Sequence, residues 1–89
     1  MISKVFAIRD IKAEAFDKPF FLSTVGQAVR AFSDEVERSD SMLHKHPDDY
    51  TLFELGEYDD SFGTFVCLPA ARQLISGSDV LSVGRGQAA

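Results

Sequence analysis

The sequence predicts an α+β protein in which a small antiparallel or mixed sheet carries one main helix packed on one face. Three features of the 89 residues predict it: an N-terminal run of β-formers, a stripe of apolar residues at helical spacing, and two later β-rich runs joined by a Gly-containing turn. A chain this short has room for one core. A single domain is therefore expected over residues 1–75, with residues 76–89 as a flexible C-terminal tail.

The first strand is expected from Ser3 to Ile11, where Val5, Phe6, Ile8 and Ile11 are interspersed with charges. Phe6 and Ile8 share one face while Val5, Ala7 and Ile11 share the other, so both faces are partly covered, as in a central strand. Asp17-Lys18-Pro19 signals a turn, because proline pushes the residue before it into an extended state. Phe20-Phe21-Leu22 follows as a brief strand or an apolar clip.

Val25, Ala28, Val29, Phe32 and Val36 then recur at i, i+3, i+4, i+7 and i+11, the spacing of one helix face. Thr24 with Gln27 three residues on matches a capping box, which starts the helix. Asp34 and Arg38 form a favourable i,i+4 pair, and Ser39-Asp40-Ser41 ends the element. Met42 to Asp49 reads as a polar connection closing in a tight turn at Pro47-Asp48-Asp49.

Tyr50 to Tyr58 and Thr64 to Leu68 read as a hairpin whose loop uses Gly63 as its left-handed residue. Ala70 to Ile75 is weakly helical in character. The core is expected from Phe6, Ile8, Val29, Phe32, Leu52, Phe53, Phe65 and Val66. A core of this size leaves apolar surface and strand edges at the boundary, and a homo-oligomer is expected to cover them.

The formal net charge of −5 opposes indiscriminate binding to phosphate backbones, so any nucleic-acid contact must use a local basic patch. Cys67 is the single cysteine, which excludes a disulfide framework within the chain and fits a reducing compartment. Met1 to Phe6 enters a strand-like run and lacks the long apolar stretch of a signal peptide or membrane span, so no membrane association is expected.

Candidate chemistry is sparse. His44 and His46, with Asp48 or Asp49, have the residue types of a metal site, but two imidazoles on a polar loop are better explained by exposure. No nucleophile elbow accompanies the serines, Cys67 sits within a strand as a small apolar side chain, and Gly84-Arg85-Gly86 lacks the remainder of a phosphate loop. No enzyme, metal or cofactor is expected. Positive charge concentrates in the N-terminal third at Lys4, Arg9, Lys12 and Lys18, with Phe6, Phe16, Phe20 and Phe21 between them. Cations next to aromatic faces can follow a single strand and stack its bases, so Lys4, Arg9, Lys12, Lys18, Phe20 and Phe21 are the candidate nucleic-acid site.

Three segments carry a family resemblance: Lys4 to Ala15, then Pro19-Phe20-Phe21 running into Gly26 to Asp34, then His46-Pro47-Asp48-Asp49-Tyr50 through Leu55-Gly56-Glu57-Tyr58-Asp59. Together they resemble the small nonstructural proteins of gokushovirus-type microviruses, bacteriophages with single-stranded DNA. The resemblance implies a viral protein of the host bacterial cytoplasm, outside the finished capsid. It implies an accessory role in genome replication or packaging, with single-stranded DNA as the partner. The alternative is a non-enzymatic adaptor that binds a phage replication protein, a capsid protein or a host factor, a reading the acidic charge favours.

Overall fold

The computed structural model describes the backbone of residues 1–88 and the side chains of residues 1–82. Five strands form one antiparallel sheet: β1 (Ile2–Asp10), β2 (Ala15–Phe16), β3 (Phe20–Leu22), β4 (Tyr50–Asp59) and β5 (Thr64–Ser76). The helices are α1 (Val25–Glu37), α2 (Met42–Lys45) and α3 (Gly77–Ala88), with a 3-10 turn over Pro47–Asp49 leading into β4. The helix expected from the apolar stripe is thus one of three. β1 is central, with β4 along one edge and both β2 and β3 along the other. β5 extends the sheet beyond β4.

α1 begins where Thr24 Oγ1 accepts from the Gln27 amide, while Gln27 Oε1 accepts from the Ser23 amide. The reciprocal bond thus reaches one residue further out than in the usual capping box. The helix stops at Glu37, two residues before the expected Ser39. Arg38, already outside it in extended conformation, pairs with Glu35 and Asp40 instead of Asp34. Met42 to Asp49 is more ordered than a polar connection. Ser41 Oγ caps α2 by accepting from the Leu43 amide, and His44 Nδ1 lies 2.9 Å from the Val36 carbonyl, tying α2 to the end of α1.

The core joins the two layers. Phe6 and Leu52 from the sheet meet Ala28, Phe32 and Val36 of α1 and Val80 of α3, with Ile8, Val29 and Phe20 partly buried around them. Val80 carries the packed structure past Ile75. The chain from Gly77 follows β5 as helix, and Ala70 to Ile75 is strand, not helix. Pairing with β4 supplies the backbone partners that override the weak helical propensity of this stretch.

Three expected core residues lie outside the core cluster. Phe65 is 58% and Val66 68% exposed. Phe53 is half-buried on the face away from the core cluster, against Phe16. Alternation marks which residues share a face but not which face a helix covers, and Phe65 and Val66 lie at the hairpin end, outside the core cluster.

Bulges bend the sheet. Leu55 has no partner on β1, because Phe6 pairs with Glu54 and Val5 with Gly56. On β5 the residues from Leu68 to Ala71 stand opposite that single Leu55, since Cys67 pairs with Gly56 and Arg72 with Glu54. Extra residues on one strand kink it and increase its twist. Gly56 lets the strands close at this point, because a Cβ there would run into the Val66 carbonyl and lie 2.8 Å from Cys67 Cα. The hairpin loop turns at Gly63, whose φ of 66° only glycine adopts without steric cost.

Candidate functional site

The register places Ser3, Val5, Ala7 and Arg9 of β1 on one face, opposite Tyr58, Gly56, Phe53 and Thr51 of β4. Phe16 of β2 and Phe21 of β3 join this face through their pairing with Arg9 and Val5, and Phe65 of β5 through Tyr58. None of these residues belongs to the core cluster, which lies on the other side with Phe6 and Leu52.

Aromatic rings carpet this open face in two groups. Phe16 and Phe53 meet edge to face at 5.2 Å, and the Arg9 guanidinium lies 5.5 Å from the Phe16 centroid. At the other end Tyr58 sits 4.8 Å from Phe65 and 5.6 Å from Phe21, closing a triangle. Val5 and Ala7 are buried between the groups although no helix covers them, because the rings themselves exclude water. The rings stay accessible, with Phe16 and Phe21 each more than two-fifths exposed.

The Leu55 bulge creates this arrangement. Simple alternation puts Phe53 and Tyr58 on opposite faces of β4, since they are an odd number of residues apart. One extra residue between them restores Tyr58 to the face of Phe53. Tyr58 is the residue that sequence reading misses outright, while Phe53 and Phe65, expected in the core, belong to this face instead. The signal that places Tyr58 here, and Phe65 through it, is the bulge, and only pairing reveals it.

The six residues expected to form the site divide between the faces. Arg9 and Phe21 lie on the open face. Lys12 and Lys18 are exposed in the turns on either side of β2, along the same edge of the sheet. Lys4 lies on the helix side, where its Nζ is 3.6 Å from Glu54 and 3.8 Å from Glu57. Phe20 also faces that way, stacked at 5.8 Å on Phe6. The open face thus has few cations and many rings.

A second concavity of about 390 Å³ lies between sheet and helices, bordered by Ile8, Asp10, Phe16, Asp17, Leu43 and Tyr50. Partial burial, followed by the neighbouring Asp10 carboxylate and then Asp49 and Asp17, raises the Tyr50 phenol above its ordinary pKa. Among the described residues no three His, Cys, Asp or Glu side chains converge as metal ligands, and no helix is long and apolar enough to cross a membrane.

Fold and face together define a small α+β protein with an uncovered, ring-lined sheet. Its class is that of a bacteriophage protein: the chain belongs to the family described as Phage ORF5 protein, whose model matches residues 3–80. The match includes Val80, the α3 residue buried in the core. No curated protein and no solved structure matches the chain.

Proposed function

We propose that the open sheet face binds single-stranded DNA, and that the protein serves genome replication or packaging of a microvirus of gokushovirus type in the host bacterial cytoplasm. The observation that carries this reading is the row of solvent-accessible rings at Phe21, Tyr58 and Phe65, with Phe16, Phe53 and Arg9 along the same face. Every base has a π-face, so stacking on such rings is tolerant of sequence and is worth about 1–3 kcal/mol per base. The sheet gives the rings fixed positions, which lowers the entropy lost on binding.

Stacking carries most of the affinity in this reading, because Arg9, Lys12 and Lys18 are the cations near the face in a chain of net charge −5. Neutralising about three phosphates gives a slope of log affinity on log salt of about −2, shallow for a nucleic-acid binder. The acidic charge favours a second reading, a non-enzymatic adaptor that uses the same apolar face for a phage or host protein.

Fluorescence anisotropy with labelled single-stranded DNA at two salt concentrations separates the readings. Direct binding gives a shallow salt slope and falls by about tenfold or more when Phe21 and Phe65 are both changed to Ala, the loss of about 1.4 kcal/mol or more. No binding at low salt ends the DNA reading in favour of the adaptor.

A further inference from the structure

β5 pairs with β4 along one edge only, and among the described residues no strand lies along its other edge. An unpaired strand edge presents a row of N–H and C=O groups that another strand can satisfy, and natural proteins blunt such edges with charge, proline or a covering segment. From Thr64 to Cys67 this edge has none of the three. All four residues are exposed, and the protecting features begin only with Pro69 and the bulge that runs to Ala71.

Charge distribution points to the occupant. Two copies of a chain of net charge −5 repel each other at long range, so a surface without charge is a favourable place for them to meet. The stretch from Ser61 to Ala71 contains no Asp, Glu, Lys or Arg, although charged residues make up 26% of the chain. It therefore places no like charges opposite each other when an antiparallel strand of the same sequence pairs with it. A phosphate backbone, by contrast, finds no cation along this edge.

We propose that two copies of this protein pair antiparallel through the outer edge of β5, between Thr64 and Leu68, across a two-fold axis perpendicular to the sheet. Such an axis turns the same face of both copies to the same side. Tyr58 and Phe65 of one copy then continue into Phe65 and Tyr58 of the other, and the two ring-lined faces form one longer platform. Val66, on the opposite face from Phe65, lies near its own counterpart. The paired strip spans about 17 Å of strand, so the interface is at the small end of the range for protein pairs and association is expected at micromolar to millimolar concentration. The pairing does not depend on what the open face binds.

Sedimentation equilibrium of the full chain tests it without DNA. Twice the chain mass of 9.8 kDa is expected at high concentration. Val66→Lys faces Glu57 within its own hairpin but sets two lysines against each other across the axis, so the variant keeps its circular dichroism spectrum and sediments as a monomer at concentrations where the parent is paired. Because Cys67 is exposed and lies within the paired strip, a short bis-maleimide joins two parent chains through this residue. A parent chain that stays monomeric up to millimolar concentration overturns the proposal. So does a dimer that Val66→Lys leaves unchanged and the cross-linker does not capture.

Discussion

Arg72 of β5 donates a hydrogen bond to the carboxylate of Glu54 on β4, and the two side chains have opposite surroundings: Glu54 is buried while Arg72 is 60% exposed. Lys4 approaches the same carboxylate from β1, so a buried anion is held between cations from both neighbouring strands. Removing a cation leaves charge buried, whereas removing the anion frees two cations that water can reach. Arg72→Met is therefore expected to cost about 1–2 kcal/mol, a figure reduced for the exposure of the arginine. Glu54→Leu should cost less. Urea unfolding of both variants checks the order, and the reverse order refutes it.

The same network separates Lys4 from Arg9. Lys4→Glu adds a carboxylate beside Glu54 and Glu57, so it should lower stability. Arg9→Glu instead alters the open face and should weaken DNA binding with little effect on the urea midpoint. Equal effects of the two substitutions on both measurements would show that the faces do not act separately.

Phe32 and Phe65 offer a contrast of burial at constant chemistry. Phe32 is 2% exposed between α1 and the sheet, and Phe32→Ala should cost about 3–5 kcal/mol by leaving a cavity. Phe65 stands on the open face, and Phe65→Ala should shift stability by about 0.5 kcal/mol or less. Denaturant midpoints read both. A large loss at Phe65 would mean that its triangle with Phe21 and Tyr58 holds the hairpin in place.

The helix-side core was legible in the sequence because it follows unbroken periodicity: Ala28, Phe32 and Val36 recur at helical spacing, and Phe6 and Ile8 alternate along β1. The open face was legible at Arg9, Phe16 and Phe21. Tyr58 and Phe65 join it only because β4 slips register at Leu55, a slip that arises from pairing with β1 and β5 and that no local pattern encodes. Lys4 illustrates the same limit for charge. Its sequence neighbours suggest a free cation, while Glu54 and Glu57 reach it from a strand some fifty residues later. The helical end was obscured for a different reason: the glycines and serines after Ile75 lower intrinsic propensity, and burial of Val80 offsets that loss.

Gly77 marks where α3 meets the turn before β4. A Cβ at this position would lie 2.5 Å from the Pro47 carbonyl oxygen and 2.9 Å from Pro47 Cα, both backbone atoms that cannot swing aside. Gly77→Ala should therefore push α3 away from the turn and cost about 1–3 kcal/mol, despite the higher helix propensity of alanine. Thermal unfolding measures the sum. A rise in melting temperature would show that α3 moves without loss.

Tyr50 should make stability depend on alkaline pH. Its phenol is raised above the ordinary value mainly because partial burial disfavours the charged form, with the Asp10 carboxylate adding to the shift. The unfolded chain releases this proton near pH ~10, while the folded chain retains it to higher pH. Over that window the folded state binds more protons than the unfolded state, so the contribution is fully present below the unfolded value and stability falls as pH rises. Tyr50→Phe removes the ionisation. The decline in urea midpoint between about pH 9 and about pH 11 should be shallower in the variant than in the parent. Near-ultraviolet titration of the folded parent should show one phenol ionising late, a transition absent from the variant. Parallel declines in the two proteins would place Tyr50 in solvent and remove the Asp10 carboxylate from its surroundings.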